Sequence, residues 1–178
     1  MMKYASFFET GQGRGAVAAT EKGICRVYLP DEDVEQLFAL DGLDRLPPSA
    51  LTEQVSVMLK QYFKGKRQSF DLVALDYTVS GDFRRRILES IRSIPFGEVK
   101  SYGKVAADAG SPNAARAVGG AMASNPLPII IPCHRVVAGN GRLTGYTAPG
   151  GLLQKKLILQ MEGVEFKGEI VDLKKDGY

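Results

Sequence analysis

The segment that decides the fold reads Asn125-Pro126-Leu127-Pro128-Ile129-Ile130-Ile131-Pro132-Cys133-His134-Arg135-Val136-Val137. Prolines on both sides of a β-branched run restrict the backbone, so we expect this stretch to be stiff and buried. It delivers Cys133 to a fixed place beside His134, the only histidine in the chain. The segment therefore predicts a preorganised site around a cysteine.

The neighbours of Cys133 are of the kind that make a thiol reactive. A cysteine with a pKa of about 8.5 is mostly protonated at neutral pH, and it becomes a good nucleophile when a base or a cation acts on it. His134 and Arg135 offer both. Consecutive side chains of an extended segment point in opposite directions, so a direct hydrogen bond is not assured and a water can bridge Cys133 and His134. A buried thiol beside a satisfied histidine is the alternative, and Cys25, which lies in a strand pattern, is better explained as such a core thiol.

Three helices are predicted upstream of this segment: Phe83–Ser93, Ser101–Ala109 and Ser111–Ser124. The first has its apolar residues on one face and ends before Pro95, which cannot donate a helical hydrogen bond. Ser101 is a typical cap for the second helix, and Gly110 stands in its terminating position. Ser111 followed by Pro112 is typical of a cap and first turn. The last two helices, joined by a tight turn at Gly110, are predicted to form a helix-turn-helix.

The third predicted helix offers little for reading DNA bases. Helices that read the major groove present several polar side chains, whereas this one presents Arg116 and little else. Gly119 and Gly120 each cost about 1 kcal/mol relative to alanine inside a helix, which indicates a close approach to the backbone. The approaching group is either another helix of the protein or a narrow DNA minor groove, with Arg116 available to enter the base stack.

The first part of the sequence is typical of a small α/β unit. Three strands separated by glycine-rich turns are predicted at Lys3–Thr10, Ala16–Thr20 and Ile24–Leu29, and a fourth at Asp71–Tyr77. Apolar residues at helical spacing between Ser49 and Gly65 predict one helix. Gly11, Gly13 and Ala16 mimic a dinucleotide-binding fingerprint, but strands follow them where that motif requires a helix. We therefore expect no cofactor.

Composition excludes several classes of protein. The 178 residues include two cysteines and one histidine, too few for a disulfide framework or a structural zinc site, so we expect no metal and a reducing, cytoplasmic location. We also expect no membrane segment and a soluble protein. The net charge is +3, but residues 84–156 carry eleven basic and three acidic side chains. A phosphate-facing surface and an ordinary solvated surface both fit this charge excess.

The motifs as a set resemble those of a known family. Pro132–Val137, preceded by Asn125–Ile129 and by Ala114–Gly119, is similar to the signature of the O6-alkylguanine-DNA alkyltransferases, also called methylated-DNA-protein-cysteine methyltransferases. The likeness is strong over Phe83–Gly163, and over residues 1–80 it rests on the order and types of the predicted elements.

The resemblance implies an α+β fold in two domains. Residues 1–80 would form a small N-terminal α/β domain of the ribonuclease-H-like type with a structural role. Residues 81–178 would form a mostly helical domain that contains the helix-turn-helix and the active-site cysteine, binds DNA and accepts the alkyl group. The implied partner is double-stranded DNA that contains alkylated guanine. The protein would bind it as a monomer, and its location in the cell would be on the DNA.

The resemblance also implies the chemistry. Cys133 would take the alkyl group from O6 of a flipped guanine, irreversibly and once per protein molecule, and the thymine analogue O4-alkylthymine stays open as a second substrate. His134 matches a water-mediated base, and Glu162 matches the carboxylate that orients it. Tyr102 matches a proton donor to the guanine ring, and Asn125 matches a hinge residue between the DNA-binding helix and the cysteine segment.

Two further sets of residues follow from the resemblance. The DNA contacts would come from Arg116, which fills the place of the flipped base, and from its neighbours and two outlying residues: Ala115, Ala117, Gly119, Ser111 and Arg135. The pocket for the flipped base would be lined by Tyr146, Val136, Thr147 and Pro128.

Three other functions compete with this interpretation. A non-catalytic lesion binder resembling the alkyltransferase-like proteins would carry tryptophan in place of Cys133, and the chain has no tryptophan. A helix-turn-helix regulator would need more base-reading side chains than the third helix offers. A cysteine hydrolase would need a histidine that is distant in sequence, whereas His134 is adjacent to the cysteine.

Overall fold

The computed structural model describes residues 1–30, 34–77, 81–148 and 150–173. The chain forms two compact units. The first comprises Met1–Thr78 and Pro126–Pro128, and the second comprises Val79–Asn125 and Ile129–Tyr178. The combination of N-terminal strands and a helical second part confirms the predicted α+β class. The assignment of separate roles to residues 1–80 and 81–178 stays a prediction.

An antiparallel sheet forms the centre of the first unit. Its strands are β1 (Tyr4–Thr10), β2 (Gly13–Ala19) and β3 (Ile24–Tyr28), in the order β1-β2-β3. These strands confirm the three N-terminal strands that the sequence predicts. β2 is the central strand, and its last four residues, Ala16–Ala19, are almost completely buried. Small side chains at these positions let the layers on both sides of the sheet approach closely.

The predicted helix of the first unit is confirmed as α2 (Ala50–Tyr62). Ser49 is its N-cap, and Ser49 and Thr52 each bond to the other's backbone N–H, so two N–H groups that the helix leaves open are satisfied. Thr52 Oγ1 also lies 2.7 Å from Ser6 Oγ of β1 in the buried interior. This polar contact fixes the start of α2 against the sheet.

The first unit differs from the prediction in two places. A helix, α1 (Val34–Asp41), was not predicted, although Val34 and Phe38 are both buried and stand at helical spacing. The fourth strand predicted at Asp71–Tyr77 is wrong. Within this segment only Leu75 forms a β-bridge, and its partner is Ile24. The Ile24 N–H donates to the Ala74 carbonyl oxygen, and the Ile24 carbonyl oxygen accepts from the Asp76 N–H. One bonded position is not enough to extend the sheet.

The second unit begins with two of the predicted helices. The helix predicted at Phe83–Ser93 is confirmed as α3 (Asp82–Arg92), and its buried face consists of Ile87, Leu88 and Ile91. The next is α4 (Tyr102–Asp108), which Ser101 caps by accepting a hydrogen bond from the Lys104 N–H. Gly110 follows this helix with a φ of 81°, a left-handed conformation that favours glycine.

The third predicted helix is present but starts later than predicted. It is α5 (Ala115–Ala123), and its N-cap residue, Ala114, forms no side-chain cap hydrogen bond. Ser111 is therefore not the predicted cap: its carbonyl accepts a hydrogen bond from the Ala114 N–H, which closes a turn over Pro112 and Asn113. Because this turn separates Ser111 from the first helical residue, the serine hydroxyl has no helix to cap.

Short strands and one more helix complete the second unit. The strand β4 (Lys100–Ser101) pairs in parallel with β5 (Val136–Val137), so the cap of α4 lies beside the end of the cysteine segment. The helix α6 (Gly151–Met161) follows, and β6 (Phe166–Lys167) and β7 (Ile170–Val171) form a hairpin. Among the described residues, no helix has the length and apolar character needed to cross a membrane.

Gly120 provides a test of how α5 is packed. A Cβ at Gly120 would meet no atom within 4 Å, so Gly120→Ala removes a helical glycine without a clash. We expect the free energy of unfolding to rise by about 0.5–1 kcal/mol. Urea denaturation followed by circular dichroism measures this change.

The matched control is Gly141→Ala. Gly141 has a φ of +78°, and a Cβ there would lie 2.3 Å from the Val171 carbonyl oxygen. We expect this alanine to lower the free energy of unfolding by at least about 1 kcal/mol. Equal changes in the free energy of unfolding for the two substitutions would contradict the open space that the structure shows beside Gly120.

Candidate active site

A buried ion pair lies next to the reactive cysteine. Arg135 donates two hydrogen bonds to the Glu162 carboxylate, from Nε to Oε2 and from Nη2 to Oε1, each 2.8 Å long. Nη1 of Arg135 donates to the Ile94 carbonyl oxygen at 2.7 Å. On the other side of the carboxylate, Nε2 of His134 lies 3.0 Å from Glu162 Oε1. The His134 and Glu162 side chains are fully buried.

The charges of this network follow from its geometry. Burial by itself would raise the pKa of Glu162, but the hydrogen bonds from His134 and Arg135 and the positive charge of Arg135 outweigh it and hold that pKa well below its usual value. Burial lowers the pKa of His134, and Glu162 opposes the change only in part. Glu162 is therefore ionised and paired with Arg135, while His134 is neutral near pH 7.

Cys133 is buried in the same region, in a tight turn. Residues Cys133–Arg135 form one turn of 3₁₀ helix, so the extended backbone that was expected at Cys133 and His134 is wrong. Pro132 and Ile131 lead into the turn, and the Cys133 N–H donates to the Ile131 carbonyl oxygen at 2.8 Å. The turn lets three consecutive side chains be buried together, which an alternating strand would not allow.

The thiol of Cys133 is under opposing influences. Burial raises its pKa, while a hydrogen bond from the Asn125 side chain and the charge of Lys155 act to lower it. Asn125 also donates from Nδ2 to the Ile131 carbonyl oxygen at 2.9 Å, so it bridges the end of α5 to the backbone two residues before the cysteine. The role of Asn125 as a hinge between the helix and the cysteine segment stays a prediction.

Lys155 was not among the predicted site residues. Its side chain is completely buried, and Nζ donates to the carbonyl oxygens of Val136 at 2.6 Å and Thr144 at 2.8 Å. Burial lowers the pKa of Lys155 to about 8. A signal existed in the sequence: Lys155 and Glu162 stand seven residues apart, in helical register with the buried Ile158 and Leu159.

The structure brings three of the predicted pocket residues into the second unit. Val136 and Tyr146 are buried, and Thr147 is exposed with its hydroxyl 3.5 Å from the Ala123 carbonyl oxygen. The Tyr146 hydroxyl is buried and has no hydrogen-bond partner among the described residues. Burial and the charge of Cys133 both raise the pKa of Tyr146, so the phenol stays protonated. Pro128 belongs to the first unit, and its place in the pocket stays a prediction.

Tyr102 stands at the start of α4, close to the loop that carries Tyr146. Its hydroxyl donates to the Thr144 carbonyl oxygen at 3.3 Å. A Cβ at Gly145 would lie 2.7 Å from the same hydroxyl, and the φ of Gly145 is +56°. Glycine is therefore needed at this position both for the backbone and for the approach of Tyr102.

The predicted DNA contacts divide between the surface and the interior. Arg116 and Ala117 are exposed on α5, Ala115 and Gly119 are half-buried, and Ser111 is half-buried in the turn before the helix. Arg135 is different, because its guanidinium is buried and bonded to Glu162. This position contradicts the prediction that Arg135 contacts DNA. A buried guanidinium is held by its carboxylate and is not free to meet a phosphate.

The exposed side of α5 has almost no side chains that project from it. It consists of residues at helical spacing: Arg116, Ala117, Gly120, Ala123 and Ser124. We call these five residues the small-residue face. A Cβ at Gly119 would lie 3.9 Å from Tyr102, whereas one at Gly120 would meet nothing. The tight helix packing that the sequence left open thus does not explain Gly120.

No group of three or more His, Cys, Asp or Glu side chains that could hold a metal ion occurs within the described ranges. Both cysteines are buried and free. Cys25 lies in β3, where its thiol is 3.5 Å from the Ala18 carbonyl oxygen, in the core position that the sequence indicates.

Comparison with known proteins extends over both units. The family described as "6-O-methylguanine DNA methyltransferase, DNA binding domain" matches residues 82–164. The family described as "6-O-methylguanine DNA methyltransferase, ribonuclease-like domain" matches residues 3–77. The two matches therefore include the sheet of the first unit as well as Cys133 and Glu162 of the second.

Individual relatives agree with these matches. The constitutive methylated-DNA–protein-cysteine methyltransferase of Bacillus subtilis is 35% identical over 167 residues, covering 93% of this chain and 99% of the relative. That of Methanosarcina acetivorans is 34% identical over 170 residues, covering 90% and 98%. A crystal structure of Mycobacterium tuberculosis OGT in complex with DNA has a TM-score of 0.70 at 32% identity, covering 89% of this chain and 92% of that one.

These matches confirm the resemblance that the cysteine segment and α5 carry. They span nearly the whole chain and nearly the whole length of each relative. The chain belongs to the methylated-DNA–protein-cysteine methyltransferase family and is an enzyme of that class.

Proposed function

We propose that this protein binds double-stranded DNA and transfers an alkyl group from O6 of guanine to Sγ of Cys133. The observation that carries the proposal is the buried arrangement of Cys133, His134 and Glu162, with Arg135 fixing the carboxylate. A neutral histidine oriented by an ionised carboxylate is suited to accept a proton from a nearby thiol. The family to which the chain belongs supports the same chemistry.

The proposed step is a direct displacement at the alkyl carbon. The thiol proton of Cys133 passes through a water to the ring of His134. Because Nε2 of His134 bonds to Glu162, the proton enters at Nδ1. The thiolate then forms a sulfur–carbon bond while the bond from that carbon to O6 breaks, and its electron pair goes to the guanine. The products are a thioether on Cys133 and a repaired guanine.

The departing guanine needs a proton to leave as a neutral base. We propose that the Tyr102 hydroxyl supplies it to the guanine ring, since Tyr102 lies beside the loop that carries Tyr146. The buried Tyr146 hydroxyl is protonated and has no hydrogen-bond partner in the part of the chain that the structure describes, so it is available to donate to a base in the pocket. Val136 and Thr147 supply further parts of the pocket wall, and we propose as a second substrate O4-alkylthymine, which also carries its alkyl group on an exocyclic oxygen.

The small-residue face of α5 is the proposed DNA-binding surface. A helix without projecting side chains fits a narrow groove, and Arg116 at one end is free to fill the space that a flipped base leaves. Ala115, Ala117 and Gly119 would lie along the groove, with Ser111 near the backbone phosphates. Such binding depends on DNA shape and deformation more than on base sequence.

The thioether has no route back to a thiol among these groups, so each molecule acts once. One chain carries every group that the transfer needs, and we therefore propose a monomer as the working unit. We assign DNA binding and transfer to residues 81–178 and a structural role to residues 1–80. A regulator of the helix-turn-helix type is less well supported, because Arg116 is the one polar side chain that α5 exposes.

The first test follows a labelled methyl group. After incubation with a duplex that contains O6-[³H-methyl]guanine, we expect at most one equivalent of label on the protein, all on the peptide that contains Cys133. Cys133→Ala should abolish transfer and leave DNA binding intact, whereas Cys25→Ala should retain transfer. Release of free methanol or repeated turnover would contradict the single-use mechanism.

The second test separates base flipping from chemistry. Arg116→Ala should slow repair of duplex DNA by about tenfold or more, because extruding a base costs a few kcal/mol and each 1.4 kcal/mol is tenfold. The reaction with free O6-benzylguanine should be nearly unchanged. Arg142→Ala, which removes another exposed charge from the same basic segment, is the control. Equal losses on both substrates would remove Arg116 from the flipping step.

The third test addresses the small-residue face. Gly120→Leu adds a branched side chain at its centre, where the protein itself leaves space, so the helix should fold but approach DNA less closely. We expect the dissociation constant for duplex DNA to rise by about tenfold, measured by fluorescence anisotropy at one fixed salt concentration. The control is Ala107→Leu on the exposed side of α4. Unchanged affinity of the Gly120 variant would place the DNA elsewhere.

A further inference from the structure

A group of basic side chains lies at the end of α2, in the first unit. It consists of four residues within a stretch of eight: Lys60, Lys64, Lys66 and Arg67. Lys60 is half-buried, and the other three are exposed. We call these four residues the basic turn. Neither the transfer chemistry nor the DNA contact proposed for α5 involves it.

The backbone holds the charges of the basic turn close together. Gly65 has a φ of 77°, and the Lys66 N–H donates to the Gln61 carbonyl oxygen at 3.1 Å. A left-handed glycine with this hydrogen bond is typical of a Schellman motif, which folds the chain back over the last helical turn. Lys66 is thereby brought next to Lys60. Lys60 and Lys64 stand four residues apart, which places them on the same side of the helix end.

No carboxylate balances these charges. Among the residues that the structure describes, no ion pair includes any member of the basic turn. Elsewhere in the same unit, Lys3, Arg14 and Arg26 each pair with an acidic side chain. The nearest acidic residue in sequence, Asp71, accepts a hydrogen bond from the Ser69 hydroxyl at 2.6 Å. Like charges that are held together repel, so this cluster indicates an anion from outside the chain.

Stabilisation of the helix end explains only part of the basic turn. The C-terminus of a helix carries partial negative charge, which favours a cation in its last turn. Lys60 is the basic residue in the last turn of α2 and satisfies this preference. The Gln61 and Tyr62 carbonyl groups at the helix end already accept hydrogen bonds from backbone N–H groups of the turn. The helix end therefore does not account for the other three charges.

We propose that the basic turn binds phosphates of double-stranded DNA, as a second contact besides the one proposed for α5. A DNA backbone is a row of negative charges, which complements several cations that no acidic side chain neutralises. Contacts to phosphates position a protein without reading bases, so this contact adds affinity and no sequence preference. The inference rests on the proposed function, because DNA is the partner. It adds a DNA contact to the structural role assigned to residues 1–80.

The test compares the wild type with three variants of the full chain. One lacks the three exposed charges of the basic turn: Lys64→Gln, Lys66→Gln and Arg67→Gln. The next conserves the charge at the same positions: Lys64→Arg, Lys66→Arg and Arg67→Lys. The matched control loses the same net charge from exposed positions elsewhere in the first unit: Lys3→Gln, Lys22→Gln and Arg45→Gln. Circular dichroism checks that each variant is folded.

Two quantities are measured for each protein. One is the dissociation constant for an undamaged duplex of about 30 base pairs, by fluorescence anisotropy, at salt concentrations from about 50 to about 500 mM. The other is the rate of transfer from free O6-benzylguanine to Cys133. This small substrate carries no phosphate, so it reports on the reaction without the DNA contact.

At about 100 mM salt we expect the glutamine variant of the basic turn to bind the duplex about tenfold more weakly than the wild type. Each lost phosphate contact lowers the slope of log affinity against log salt by about 0.9, so the slope should become shallower by about 2–3. The charge-conserving variant and the matched control should stay within about twofold of the wild type. The rate with O6-benzylguanine should be the same for all four proteins.

An unchanged salt slope in the glutamine variant of the basic turn would overturn the inference. An equal loss of affinity in the matched control, or a slower reaction of the glutamine variant with O6-benzylguanine, would also overturn it. If the glutamine variant does not fold, Arg67→Gln alone decides, with an expected decrease in slope of about 0.9. A wild-type protein that binds the duplex but accepts nothing from O6-benzylguanine would instead refute the proposed transfer.

Discussion

The buried pairing of Arg135 with Glu162 is the interaction on which the reactive region depends. It joins the end of α6 to the turn that carries the cysteine, and Arg135 extends the connection to the Ile94 carbonyl group. The Gly97 N–H donates to the same carboxylate at 3.3 Å. Removing one partner would leave a charge buried alone, which costs about 3–5 kcal/mol. Because the same Glu162 carboxylate also bonds Nε2 of His134, the position of His134 and of any proton it accepts depends on both members of this ion pair.

Much of this arrangement could be predicted from the sequence, for identifiable reasons. Ile87, Leu88 and Ile91 specify α3 because helical spacing of apolar residues has few other solutions. Ser101 and Gly110 mark both ends of α4 because a cap and a left-handed glycine are local requirements. The proximity of Glu162 to His134 is different. It was implied by the family resemblance alone, since 28 residues separate the two in sequence and no local pattern links them.

The failures concern features that residue type alone does not decide. The short apolar run within Asp71–Tyr77 is suited to a strand, but only Leu75 forms a bridge to the sheet. Ser111 followed by Pro112 is typical of a helix cap, yet a turn separates Ser111 from α5. Two of the eleven basic side chains counted in residues 84–156, Arg135 and Lys155, lie inside the protein. A count of charged residues in a sequence does not distinguish side chains on a phosphate-binding surface from side chains that form hydrogen bonds in the interior.

The assignment of Pro126–Pro128 to the first unit has a consequence for how the chain is made. These three residues are grouped with the N-terminal sheet, where the Val27 N–H donates to the Pro126 carbonyl oxygen at 2.9 Å. During synthesis the N-terminal part of the chain emerges first, but Pro126–Pro128 are added only after α3, α4 and α5 have been made. The first unit is therefore completed late, at the moment when the residues leading to Cys133 are being added.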